Sequence, residues 1–127
     1  MQTIITRNEL AHLLRRQGKW AEALPFYRES ILYFQDMGHE PAVAHQLECF
    51  AYIAIAQEEP EKAARLLGAA QTIRERTNNP ISIPWEKADY DLAMQQLAEI
   101  LGRADRNAAV EEGRSMSLDE AVILART

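Results

Sequence analysis

Two stretches forty residues apart constrain this chain more than anything else in it. Ala21-Glu22-Ala23-Leu24-Pro25-Phe26-Tyr27-Arg28-Glu29-Ser30 is echoed by Glu61-Lys62-Ala63-Ala64-Arg65-Leu66-Leu67-Gly68-Ala69-Ala70. Ala23 pairs with Ala63, Tyr27 with Leu67 and Ser30 with Ala70, each at an offset of 40. Both stretches read as helix, with small residues on one side and larger apolar ones beside them. A repeated helical unit buries its apolar face only against its neighbours. The chain is therefore expected to stack helices, and a stack is a scaffold.

The spacing of apolar residues predicts helices over 3–17, 20–37, 41–57, 60–76, 85–101 and 106–112, and a last one after Ser117. Thr6 or Asn8 is a candidate cap for the first. Ala23, Phe26, Tyr27, Ser30, Ile31 and Phe34 recur at intervals of three and four, one face of a helix. Gly18 and Gly38 are read as stops, because glycine tolerates the left-handed conformation that closes a helix. Pro41 and Pro60 open helices, where a missing N–H costs little. Gly68 and Ala69 are expected to let a neighbouring backbone come close. The stretch 77–84 holds two prolines and two asparagines and is read as a loop. Asp105 is a candidate cap and Gly113 a stop for the sixth helix. Ser117 with Glu120 forms a capping box for the last. Trp20 and Trp85 are expected to anchor packing.

These elements give a single all-α domain over 1–127: a hairpin over 1–39, a second over 40–77, a loop over 78–84 and capping helices over 85–127. A stack leaves an apolar end that an atypical terminal element must cover. A chain of 127 residues with 47% hydrophobic content can bury such a core. Its net charge of −5 argues against binding a nucleic-acid backbone, which needs a basic surface. Cys49 is the one cysteine, so no internal disulfide forms. The longest apolar run, 50–56, is far short of the roughly 20 residues that span a bilayer. No basic segment followed by an apolar core opens the sequence, so a cytoplasmic location is expected.

Gln17-Gly18-Lys19-Trp20-Ala21-Glu22-Ala23, followed by Tyr27 and preceded by Leu10-Ala11, resembles the turn and second helix of a tetratricopeptide repeat (TPR). Phe50-Ala51, Ala63, Leu67 and Ala70 take the same places in the second copy. The period of 40 exceeds the family's ~34, and Glu58 stands where the motif has glycine. The resemblance implies stacked antiparallel hairpins with a C-terminal helical cap. Leu66-Leu67-Gly68-Ala69-Ala70, the proline-bearing break, and Gly113-Arg114-Ser115-Met116-Ser117-Leu118-Asp119-Glu120-Ala121 are similar to the C-terminal repeats of large bacterial regulators. Those regulators carry ATPase modules, and LuxR-type or other effector domains, elsewhere in their chains. This likeness implies a sensor arm; no effector domain lies in this sequence, so no effector activity carries over.

In TPR arrays the first helix of each pair lines a concave groove. Mapping that face here gives Asn8, His12 and Arg15, then His45, Glu48 and Tyr52, as the expected partner-binding residues. Lysine and asparagine grip a terminal carboxylate in some TPR proteins; Glu48 would repel one. His45 and Cys49, four apart on one helix, have workable metal-ligand spacing. A zinc site wants two more ligands, and only His12 and His39 remain, so the pair is read as a groove histidine and a semi-buried thiol. No phosphate loop or His-Glu-x-x-His helix is present. The expected function is non-catalytic: a regulatory module that binds a protein or peptide in its groove, without cofactor, metal, nucleic acid or membrane. Self-association into a homodimer is one alternative. A small-molecule sensor, with a pocket between the fourth helix and the C-terminal cap, is the other.

Overall fold

A computed structural model describes residues 3–127. Residues 1 and 2, included in the expected domain, lie outside the described residues. Seven α-helices and no strand occur among those described: α1 Ile4–Arg16, α2 Trp20–Asp36, α3 Glu40–Ala56, α4 Pro60–Arg76, α5 Pro84–Leu101, α6 Arg103–Arg114 and α7 Leu118–Arg126. The all-α helical-repeat expectation holds.

The regularity of the first four helices is set by their ends. Gly18, Gly38, Glu58 and Asn78 stand 20 residues apart and share a left-handed backbone, with φ of 77°, 68°, 63° and 51°. After each, the next N–H reaches back to a carbonyl five residues earlier: Lys19 to Leu14, His39 to Phe34, Glu59 to Ala54 and Asn79 to Arg74, at 2.8–3.0 Å. Four helices thus end in one motif, which satisfies carbonyls that the helix leaves free. Two such units make the 40-residue period. Glu58 occupies a conformation that disfavours a Cβ, and its side chain is exposed. Glu58→Gly is expected to stabilise the fold by about 0.5–1 kcal/mol, since relief of the left-handed strain outweighs glycine's extra chain entropy. A higher urea midpoint at unchanged slope is the readout; a lower midpoint would mean that Glu58 makes a compensating contact.

Side chains begin the helices. Thr3 caps α1 through the Thr6 N–H, in place of Thr6 or Asn8. His39 accepts from the Ala42 N–H at 3.2 Å and so caps α3. Ser117 and Glu120 form both bonds of the capping box on α7.

The core runs between the hairpins. Tyr27 and Ile31 from α2, Leu47 and Ala51 from α3, and Ala63, Leu66 and Leu67 from α4 are fully buried. α3 is the most buried helix, packed on α2, α4 and α5. The tryptophans do not anchor this core: Trp20 is 39% and Trp85 60% exposed.

The C-terminal helices correct two expectations. α6 starts at Arg103, so Asp105 lies inside its first turn and Gly102 precedes it. Gly113 does not stop the helix; it is buried in its last turn. Here α6 crosses α4 backbone to backbone. A Cβ on Gly113 would overlap the Arg65 carbonyl, and one on Gly68 would overlap that of Val110. Around the crossing, Thr72 Oγ1 donates to the Arg114 carbonyl at 2.9 Å, and Arg114 grips Glu75 with bonds of 3.0 and 2.7 Å. α7 then packs on α2, α3 and α4, and α5 packs on α3, α4 and α6.

Candidate functional site

α1 and α3 both pack on α2, and polar side chains fill the space between them. α1 contributes Asn8, His12 and Arg15, successive turns of one face. α3 contributes His45, Glu48, Cys49 and Tyr52 by the same spacing. α2 sends up Tyr27, α4 sends Arg74, and α5 closes the group with Glu86 and Asp89.

The bonds fix much of the chemistry. Arg15 Nε–H donates to the Tyr27 hydroxyl at 3.1 Å, and that hydroxyl lies 2.7 Å from His12 Nδ1. On the other side of the ring, His12 Nε2 faces the Asn8 amide at 3.4 Å. Asn8 Oδ1 is buried without a partner. Turning that amide over sets Oδ1 against His12 Nε2, where it can accept the ring N–H; O and N of an amide are assigned from such networks. Arg15 also lies over the Tyr52 ring, 5.2 Å from its centre, and 3.8 Å from Asp89.

Cys49 Sγ sits 3.8 Å from His12 Nδ1 and 3.8 Å from His45 Nε2. The far side of His45 faces carboxylates: Nδ1 is 3.5 Å from Glu48 and 3.3 Å from Glu86. Glu48 is clasped by Arg74 through bonds of 2.6 and 2.9 Å. His12, His45 and Cys49 bring three ligand atoms within 4.8 Å of one another. His39, engaged as the α3 cap, stands apart.

Burial alone would raise the Cys49 thiol, but the charge of His45, bonds from both histidines and the charge of Arg15 outweigh it and hold the thiol well below its ordinary value. The Cys49 charge in turn lifts His45 to about 11, against the opposing effect of burial. Burial likewise pushes Glu48 up, but bonds from His45 and Arg74 prevail and hold it below the usual carboxylate range. Burial raises both Tyr27 and Tyr52, so both stay neutral phenols.

All six residues expected in the groove come together here. Asn8, His12, Arg15, His45 and Tyr52 are half-buried, and α5 reaches this face through Asp89 beside Arg15 and Glu86 beside His45. Glu48 differs: it is 1% exposed and committed to Arg74, so it does not face a partner. Cys49 is fully rather than partly buried. Tyr27, Arg74, Glu86 and Asp89 belong to the cluster and were not expected in it.

Two openings adjoin the cluster. A groove of about 140 Å³ runs between Arg15 and Tyr52 on one wall and Asp89, Leu92, Ala93 and Gln96 of α5 on the other. A cavity of about 360 Å³ lies under the 77–83 segment, lined by Glu48, Gln71, Arg74, Glu75, Pro80, Ile81 and Tyr90 among others.

Stacked hairpins with a polar-walled groove define a helical-repeat scaffold. A family model, tetratricopeptide repeat, matches residues 3–32, about a quarter of the chain: α1, the Gly18 turn and most of α2. The match supports a TPR-like fold for the stack, and a repeat of this kind suggests a protein-interaction role. No curated protein and no solved structure matches the chain. Among the described residues, no helix is long and apolar enough to cross a membrane.

Proposed function

We propose that the chain is a non-catalytic interaction module that takes a peptide or helix in the groove between α1, α3 and α5. The observation that carries this reading is the groove wall itself. Tyr52 and the exposed Leu92 offer apolar surface beside the polar groups of Arg15, Asp89 and Gln96. Such a mixture suits one apolar anchor residue flanked by hydrogen-bonding backbone. The likeness of the C-terminal segment to repeat arms of bacterial regulators supports reading the module as a sensor arm.

The test is capture of a partner by tagged protein, with Leu92→Glu beside the wild type. Leu92 is 53% exposed, so the change leaves the core alone. Loss of the captured partner, at unchanged circular dichroism, is the expected result. A partner retained equally by both proteins would remove the groove from consideration. A mass that doubles with concentration in light scattering would favour self-association through Ile5 and Leu13, which α1 leaves exposed.

The larger cavity supports a second reading, a small-molecule sensor. Its volume falls within the range of ligand sites, and Gln71, Arg74 and Tyr90 offer converging polar groups. A ligand-induced rise in melting temperature would separate this reading from peptide docking.

A further inference from the structure

The geometry points to a metal site: His12 Nδ1, His45 Nε2 and Cys49 Sγ are placed to hold one zinc-type divalent cation between α1 and α3. The three atoms lie within 4.8 Å of one another, and both sulfur–nitrogen distances are 3.8 Å. A tetrahedral zinc, with Zn–S of about 2.3 Å and Zn–N of about 2.0 Å, sets its sulfur and nitrogen ligands about 3.5 Å apart. The two sulfur–nitrogen distances need close by only about 0.3 Å, and the two nitrogens, now within 4.8 Å, would settle about 3.3 Å apart through side-chain rotation.

The surroundings match the requirement as well as the spacing does. A ligating histidine donates its other N–H to an acceptor, which fixes the tautomer and aims the ring. His45 has Glu48 and Glu86 on its outer nitrogen. His12 has the Asn8 amide, whose buried oxygen is otherwise without a partner. With those outer contacts made, His12 Nδ1 and His45 Nε2 are the nitrogens left to ligate a metal beside Cys49. The setting is acidic even before a ligand is counted: the carboxylates of Glu48, Glu86 and Asp89 stand against the guanidinium groups of Arg15 and Arg74.

Ligation needs Cys49 as thiolate and each imidazole unprotonated at its ligating nitrogen, so binding releases protons to solvent. It also takes His12 Nδ1 from Tyr27. Three protein ligands leave a fourth position for water. The ion would join the first hairpin to the second beside the peptide groove, so it acts as a brace for that groove wall.

Cobalt(II) tests this on the full chain without relying on any variant. Cys49 is the one cysteine, so a thiolate-to-cobalt charge-transfer band can come from no other residue. We expect one equivalent of cobalt, a charge-transfer band, displacement by zinc, and a higher melting temperature with zinc. His12→Gln and His45→Gln should each weaken binding by about 100-fold or more, on the scale set by a lost ligand or its support. His39→Asn, which keeps a capping acceptor on α3, should bind as the wild type does. Cobalt bound without the band, affinity unchanged in His12→Gln, or no binding at micromolar protein would each overturn the site.

Discussion

Gly113→Ala is expected to destabilise the protein by about 3 kcal/mol or more, although the same change inside an ordinary helix gains about 1 kcal/mol. The added methyl would overlap the Arg65 carbonyl and come within 2.8 Å of the Arg65 Cα. These are backbone atoms of α4, so no rotamer change relieves the clash. α6 must part from α4, and the Thr72–Arg114 and Glu75–Arg114 bonds around the crossing lengthen with it. Gly68→Ala meets the reverse surface, the Val110 carbonyl, and also lies 3.0 Å from the Arg114 nitrogen. The two substitutions act on one interface, so the double variant should cost less than the sum of the singles. Urea unfolding at pH 7 decides the matter. A rise in stability for Gly113→Ala, as helix propensity alone demands, would mean that α4 and α6 do not meet backbone to backbone.

Gly113 also shows where reading from sequence stops. Glycine near a helix end has two physical meanings: it closes the helix, or it admits another backbone. Gly18 and Gly38 have the first meaning and Gly113 the second. The local residues are alike, and the difference lies in Arg65, 48 positions earlier. Glu58 and Asn78 present the converse case. They take the same left-handed turn as Gly18 and Gly38 without being glycine, and their 20-residue spacing marks them as equivalents. Hairpins were legible because their signals are local: apolar residues at intervals of three and four, prolines at helix starts, glycines at helix ends. The tryptophans misled because bulk was taken for burial, whereas Trp20 and Trp85 both sit at helix starts, outside the stack.

The cluster was half legible for the same reason. One helical face placed His45, Glu48, Cys49 and Tyr52 together, and another placed Asn8, His12 and Arg15 together. A usable signal linked the two. The offset of 40 that pairs Ala23 with Ala63 also pairs His12 with Tyr52, less than a turn from Cys49. That brings a third donor to the His45–Cys49 pair. Glu86, Asp89 and Arg74 carried no such mark. Their part depends on α5 folding back across α3 after the 77–83 segment, and no periodicity encodes that path.

Arg74→Leu is expected to cost about 3–5 kcal/mol at pH 7, because it strands the buried Glu48 carboxylate with only His45 beside it. The pair is well sheltered: the Glu48 side chain is 1% exposed and the Arg74 side chain 12%. Arg74 also donates to the Asn79 carbonyl at 3.1 Å and so ties down the start of the connection to α5. The cost should be specific to an unpaired charge. Adding Glu48→Leu to Arg74→Leu removes the stranded carboxylate, and the double variant should recover most of the loss. The pH dependence has a definite sign. Burial pushes Glu48 up, but its bonds to His45 and Arg74 hold it below its unfolded value of about 4.3. A carboxyl depressed on folding stabilises fully above that unfolded value and loses its contribution as pH falls through the lower, folded one. The gap between wild type and Arg74→Leu should therefore be widest at neutral pH and narrow as Glu48 protonates. A gap that stays constant from pH 7 to well below the carboxylate range would assign the loss to Arg74's packing and its Asn79 bond instead. Recovery in the double variant with a gap that narrows in acid would show that the ion pair itself holds α3 to α4 at the edge of the groove.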